Sequence, residues 1–468
     1  MKNDCALILA AGDGLRMKSS KPKVLAQVLF KPMLDWVLDK AHESGLENIC
    51  VITGHQSKLI EERLPAHVRS IEQKERLGTG HAILQARAFI EKFGNGNVLI
   101  LAGDAPLVDT RTITAALQLH KQAQNSATLI SALLDDPKGY DRIVRGKDGR
   151  IVKVVEEDEA TQDEKAIKEV SSGAYWFKAK ALLIALDRLE EANISPQSTK
   201  GREIHLADTI EYLREIKMDV TAFEARLPYI VMGADDRIQL AALNEIARKA
   251  ELDRHRANGV SIPIADGVII GPGVEIGPDS LILPGTIIKE TSKIGSDCVI
   301  GPNSYIENST IGDGVTLNNT QCRDSQIGND STLGPFVQIR PGSKIAQGAH
   351  IGNFVEIKNS NIGRDVGISH LTYVGDSDLG EGVNLGCGTV TVNFDGKDKH
   401  RTVVEDGAFV GCNSNLIAPL TVGKNAFIAA GSTITKDVPA DALAIARTRQ
   451  EIKKGWVKSK KPYRRQHK

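Results

Sequence analysis

What this chain of 468 residues lacks narrows it first. It has no excess of charge of one sign, because 59 acidic residues offset 59 basic ones. Whole-molecule attraction to nucleic acid or to an anionic membrane is therefore excluded as an organising principle, and no nucleic-acid partner is expected. It has no apolar run of 18 residues, so no membrane insertion is expected. The apolar stretch after Asp4 is too short for a signal-peptide core and reads as a buried first strand. Cysteines stand only at positions 5, 50, 298, 322, 387 and 412, and none forms a Cys-x-x-Cys pair. Neither a disulfide framework nor a zinc knuckle is implied. A reducing, cytoplasmic setting fits, with the basic run over 453–468 read as a solvated tail.

What the chain does have is a period. From Ile264, isoleucine recurs at every sixth position through 270, 276, 282, 288, 294, 300 and 306. The phase slips by one at Ile311 and Leu317. It resumes through Ile327, Leu333, Ile339, Ile345, Ile351 and Ile357, and returns at Val404, Val410, Leu416, Val422, Ile428 and Ile434. A spacing of six matches no helical repeat, so no helix keeps these side chains on one face. It is the mark of a parallel β-helix, in which each hexapeptide forms one side of a triangular coil and its aliphatic residue points inward. Roughly nine or ten coils fit between Ile264 and Ile434, about 45 Å of stack at strand spacing.

Glycine often follows the aliphatic residue, as in Ile270-Gly271, Ile276-Gly277, Ile294-Gly295, Ile300-Gly301 and Val422-Gly423. It serves the corner, where a β-carbon would clash or φ must be positive. Residues 318–326 read as a short interruption of the coil. The segment 386–403 breaks the hexads with Asn, Asp, Lys and His, and reads as a loop that leaves the coil to build a site.

The first half alternates differently. Buried strands are expected at 5–11, 48–53, 97–102 and 127–134, with helices at 33–45, 56–64, 79–93 and 110–123. Strand–helix alternation at this spacing means βαβ units and a mainly parallel sheet, with substrate beyond the carboxyl ends of the strands. The first strand runs into Ala10-Ala-Gly-Asp-Gly-Leu-Arg-Met17, followed by Lys23. Glycines there let backbone N–H groups approach phosphate oxygens, and Arg16 and Lys23 neutralise charge. No Gly-Lys-Ser/Thr follows, so this is not a Walker loop. Asp104, at the end of the strand over 97–102, either holds a metal ion or caps the helix after it. A helix is expected over 235–256.

In order along nearly the whole chain, these residues resemble a bacterial family, the bifunctional N-acetylglucosamine-1-phosphate uridyltransferase/glucosamine-1-phosphate acetyltransferases. The resemblance implies an α/β nucleotidyltransferase domain, Rossmann-like with a mainly parallel sheet, followed by an all-β left-handed parallel β-helix of hexapeptide repeats. It divides the chain into a uridyltransferase domain over 1–232, a helical linker over 233–257, the β-helix over 258–438 and a tail over 439–468. The implied product is UDP-N-acetylglucosamine, a precursor of peptidoglycan and lipopolysaccharide, made from glucosamine 1-phosphate, acetyl-CoA and UTP. Mg²⁺ at the first site and a homotrimer with shared acetyl sites are also implied.

Residue by residue, Leu9, Ala10, Ala11, Gly12 and Gly14 match the family's phosphate loop, with Lys23 as its partner. Gln73, Gly78 and Thr79 match the uracil segment, Gly103 and Asp104 the metal strand, and Asp235 the second metal ligand. Asp141, Glu156 and Ser171 fall where the family touches the sugar. In the β-helix, Arg340, Lys358, Tyr373, Asn384, Asn393, Phe394 and Cys412 stand where the family's acetyltransferase residues stand, with Lys399, Ala430 and Arg447 at its acetyl-CoA contacts. His370 is read as the general base, because a neutral imidazole can take the proton of an attacking amine. This chain departs from the family pattern at Asp235 and Ser171 (family Asn), Asp141 and Ser369 (family Gly) and Phe394 (family Tyr).

Overall fold

A computed structural model describes residues 3–194 and 203–460. Residues 461–468 of the basic tail lie outside the described residues. The chain separates into two compact units, residues 1–250 and 251–468.

The first unit is built on a twisted sheet whose strands run, edge to edge, Val220–Glu224, Ala127–Leu133, Glu169–Lys178, Asn97–Ala102, Cys5–Ala10, Asn48–Thr53 and Arg69–Glu72. All neighbours pair in parallel except Glu169–Lys178, which is antiparallel to both of its flanking strands. The expected mainly parallel sheet is therefore present. The central strand Cys5–Ala10 reads as a nearly unbroken apolar run because helices cover both faces, with Leu7 in one core cluster and Ile8 in the other. The helix expected over 79–93 is two, Thr79–Gln85 and Arg87–Glu91, hinged at Ala86 with φ −90° and ψ 7°. Asp109 caps the helix Thr110–Gln122, its carboxylate accepting from the Thr112 N–H at 2.7 Å. That removes capping as the role of Asp104.

In the second unit, three columns of inward side chains climb through short parallel strands. One runs Ile270, Ile288, Ile306, Cys322, Ile339, Ile357, Val374, Thr391, Leu416 and Ile434. The hexapeptide period is thus the side-chain spacing of a left-handed parallel β-helix. Each fully buried aliphatic side chain contributes about 1.5–3 kcal/mol of transfer free energy.

Three expectations need correction. Ile264 is not the first inward residue, since it is 55% exposed. Ser261 bridges Leu281, which sets Ile262 beneath Ile282, and Ile262 is buried. Residues 318–326 do not interrupt the coil, because the strand Thr320–Arg323 pairs on both sides and Cys322 fills an aliphatic position. A thiol there replaced the expected isoleucine, and five-residue steps from Leu317 to Cys322 to Ile327 hid the register. The break after 386 is shorter than expected: Val390–Val392 stays in the coil, with Thr391 inward. Only the segment between Val392 and the strand Thr402–Val404 leaves it. Beyond 438, Leu443–Ala444 still adds a strand against Phe427–Ile428.

Most glycines that follow the aliphatic residue answer to close approach rather than to φ. A β-carbon on Gly295 would lie 2.7 Å from the Gly312 backbone, and one on Gly277 would lie 2.7 Å from Gly295. The positive-φ corner positions are filled largely by Asp and Asn, such as Asp297, Asn303, Asp330 and Asp365. Gly295→Ala is expected to destabilise the β-helix by about 1–3 kcal/mol through overpacking. A denaturant titration that found it as stable as the parent would contradict this account of the coil spacing.

Candidate functional sites

The first site forms where the central strand Cys5–Ala10 ends. Its phosphate-loop residues 9–13, Lys23, Gln73, Gly78, Thr79 and Asp104 line one cavity of about 380 Å³. Gly14 has φ +59°, and a β-carbon there would sit 2.6 Å from Cβ of Lys23. Glycine therefore lets the loop fold over that lysine. Gly78 has φ +103° and presses against the Ile204 carbonyl, while Thr79 Oγ1 accepts from the Leu206 N–H at 2.9 Å. Gln73 Nε2 donates to the Gly78 carbonyl at 3.1 Å, and the Gly103 N–H donates to the Leu9 carbonyl at 2.8 Å. These bonds lock loops from distant parts of the sequence into one wall.

Charge converges on Lys23. Its ammonium pairs with Asp104 and, at 2.6 Å, with Asp235, which also takes Arg16 at 2.8 Å. Burial alone would pull the Lys23 pKa down, but the two carboxylates outweigh it and raise it. Asp235 is held below the ordinary carboxylate range: burial works against this, and Lys23 and then Arg16 overcome it. Two carboxylates aimed at one cation are a hard-oxygen donor set, and they fit Mg²⁺. Sequence reasoning missed Arg76, which pairs with Asp13 on the loop, and Glu203; both line the cavity. Nothing in their local pattern marks them.

Asp141, Glu156 and Ser171 make a second cluster. Glu156 pairs with His205 at 2.9 Å and hydrogen-bonds Asp141. Burial, then the neighbouring Glu156, pushes the Asp141 carboxyl up to about 7. His205 is raised by its bond to Glu156. The Ser171 N–H donates to the Asp141 carbonyl at 2.9 Å, and its buried hydroxyl meets the Tyr175 hydroxyl at 3.0 Å. His205 was not singled out from the sequence, because it lies 49 residues after Glu156 with no motif around it.

On the β-helix, successive coils bring outward groups together. Arg340 pairs with Glu356 at 2.7 Å. Lys358 is lowered from its ordinary value, first by the Lys399 ammonium beside it. Asp376 accepts from Asn359 at 2.6 Å and from Asn393. Burial would raise the Asp376 carboxyl, but Asn359 and Asn393, with Lys358 and Lys399, hold it below its usual range. A β-carbon on Gly375 would lie 2.4 Å from the Tyr373 hydroxyl oxygen, so that glycine makes room for Tyr373. The segment carrying Phe394 and Lys399 is a small antiparallel excursion, closed by a Phe394–Lys399 bridge and a His400–Asp395 pair at 2.8 Å.

His370 is exposed, and its Nδ1 lies 2.8 Å from Asn353 Oδ1 one coil below. Asn384 stands in register with Gly367, on the strand that carries His370. Cys412 and Ala430 occupy neighbouring coils, where Gly411 abuts the Ala430 N–H, and Arg447 reaches Gly431. Cys387 sits one coil before Cys412 and was not singled out from the sequence. Among the described residues no group of three or more His, Cys, Asp or Glu forms a further metal site.

Comparison with known proteins gives two family matches. The profile described as Nucleotidyl transferase covers residues 5–220, and Bacterial transferase hexapeptide (six repeats) covers 324–359 and 401–436. The Bifunctional protein GlmU of Acetivibrio thermocellus is 45% identical over 452 residues, covering 97% of this chain and 96% of that protein. Its counterpart in Clostridium acetobutylicum is 44% identical over 457 residues (97% and 98% covered). That of Caldanaerobacter subterraneus is 45% identical over 460 residues (98% and 99% covered).

The Asp141 cluster generates a pH prediction. Its folded pKa of about 7 exceeds the unfolded value of about 3.9, so the stability it contributes is fully present below pH 4 and lost as pH rises through 7. Asp141→Asn should therefore gain stability relative to the parent as pH rises from about 4 to 7. Thermal unfolding across that range checks it, and a pH-independent difference between the two proteins would refute it.

Proposed function

This chain belongs to the family of the bifunctional GlmU proteins, and from that premise we propose how each site works. It is an enzyme of UDP-N-acetylglucosamine synthesis with uridyltransferase and acetyltransferase activities. We assign uridylyl transfer to residues 1–232 and acetyl transfer to the β-helix over 258–438. The observation that carries the first assignment is the convergence of Lys23, Arg16, Asp104 and Asp235 beside a glycine-lined cavity at the end of a central parallel strand.

At that site the phosphate of N-acetylglucosamine 1-phosphate attacks the α-phosphorus of UTP in line and displaces pyrophosphate. No protein nucleophile is needed, so positioning and charge neutralisation carry the step. Arg16 and Lys23 face phosphate oxygens as charge shifts to the leaving group, and backbone N–H groups of the loop hold them from the other side. Mg²⁺ on Asp104 and Asp235 would polarise phosphate oxygens and neutralise pyrophosphate. Gln73 and Thr79 face the base, and Asp141, Glu156 and Ser171 stand at the sugar end.

At the second site Arg340, Lys358, Tyr373 and Lys399 form a cationic, hydrogen-bonding surface suited to a sugar phosphate. Lys358 and Lys399 repel one another, and a dianionic phosphate between them relieves that repulsion. The glucosamine amine attacks the acetyl-CoA carbonyl, His370 takes the proton shed by nitrogen, and the CoA thiolate leaves and is protonated. Asn384, Asn393 and Phe394 flank the sugar, and Cys412, Ala430 and Arg447 line the path of CoA.

A homotrimer with shared acetyl sites is supported by one apolar column. Phe336, Phe354 and Leu371 are 57%, 54% and 59% exposed and all have positive φ. The Phe336 N–H donates to the carbonyl of Asn319, a positive-φ residue on the coil below. Apolar residues held at such corners suit contact with another copy rather than water.

Two measurements test these assignments. Lys23→Ala should abolish uridylyl transfer and leave acetyl transfer intact, read by mass spectrometry of products with glucosamine 1-phosphate, acetyl-CoA, UTP and Mg²⁺ omitted in turn. Unchanged uridylyl transfer would overturn the first-site assignment. Replacing Phe336 and Phe354 together with Asn, which tolerates such corners, should yield monomers by light scattering with acetyl transfer lost and uridylyl transfer kept. A stable trimer would remove that column from the interface.

A further inference from the structure

We infer that Asn353 is a positioning residue for acetyl transfer, holding His370 as the tautomer whose Nε2 is free to accept a proton. The inference rests on the reading of His370 as general base.

The geometry begins with the coil. The strands His350–Lys358 and Gly367–Gly375 pair in parallel, with Asn353 directly opposite His370. The pair is therefore fixed by backbone register and not by two flexible side chains finding one another. Beneath it the strands are pressed together, since a β-carbon on Gly352 would lie 1.9 Å from the Ser369 carbonyl oxygen. Two residues further along the same strand, the Thr372 hydroxyl donates to the His370 carbonyl at 2.7 Å. The neighbouring corner is stiffened by Phe354 stacked on Phe336, with ring centres 5.3 Å apart and planes 11° apart.

Chemistry then assigns the protons. The group that faces His370 Nδ1 at 2.8 Å is the side-chain amide oxygen of Asn353. An amide oxygen only accepts, so Nδ1 must carry the hydrogen. A neutral imidazole protonated at Nδ1 presents a lone pair at Nε2, which is the atom left to take the amine proton. The same bond fixes the ring plane. A neutral amide orients the imidazole in this way without placing a charge beside it. Without Asn353, both tautomers and other ring rotations become accessible, and only part of the population can act as base.

The test uses the full-length enzyme and four proteins: the parent, Asn353→Ala, Asn353→Asp and His370→Asn. Asn353 lies on the outer surface of the coil, and thermal unfolding of each variant checks that the fold is kept. Asn353→Ala should lower kcat for acetyl transfer on the order of 10- to 100-fold. KM for glucosamine 1-phosphate and for acetyl-CoA should stay near the parent values, and uridylyl transfer should not change. Asn353→Asp keeps an acceptor at Nδ1 and should recover much of kcat, with the acidic limb of its pH profile moved up by about one unit. A carboxylate favours the imidazolium, and the base works only when neutral.

Wild-type acetyl transfer in His370→Asn would overturn the general-base reading itself. An inactive His370→Asn beside an Asn353→Ala of parental kcat and pH profile would overturn this inference alone. So would an Asn353→Ala effect confined to KM, which would make Asn353 a substrate contact.

Discussion

The second unit depends on one constraint, the in-register stacking of one inward side chain per face and per coil. Each coil repeats the backbone of the one below, so register is copied upward, and every outward group inherits its place from the column behind it. Ile351 over Leu333, and Ile368 over Ile351, are what set Asn353 beneath His370. Ile339, Ile357 and Val374 likewise carry Arg340, Lys358 and Tyr373 on the outer side of the wall. The site is rigid because it is mounted on the element that supplies the hydrophobic free energy of the fold.

The same stacking explains where the chain is allowed to be irregular. Thr391 and Cys322 occupy inward positions without breaking the ladder, since small or weakly polar side chains still fit between aliphatic neighbours. The segment that projects outward leaves the coil between two intact strands, so its polar residues reach the site without disturbing the columns.

The first unit solves a different problem, the containment of charge. Lys23 is nearly buried, and Asp104 and Asp235 come from parts of the chain 131 residues apart. An uncompensated charge there would be costly, so the site balances itself with opposite charges. In the nearby Asp141–Glu156–His205 chain the Glu156 carboxylate faces an imidazole and a hydrogen-bonded carboxyl group rather than a fixed cation.

Much of this was legible in the residues alone. The six-residue period determined the β-helix, because no other regular structure repeats an inward side chain at that spacing. The Gly-rich turn after Cys5–Ala10, with Lys23 beyond it, marked the loop that lines the cavity and folds over that lysine, because strand, glycine and cation act locally. What the tertiary structure decided are the choices that depend on distant neighbours. Asp104 could have been the cap of the following helix until Asp109 was seen to hold that helix and Lys23 to bridge Asp104 to Asp235. Ile264 fits the period yet lies in solvent, because the first coil pairs in a register that puts Ile262, two residues earlier, under Ile282. Arg76, His205 and Asn353 carry no local signal at all. Their partners are set by approaches between chain segments, and composition and spacing do not encode such distances.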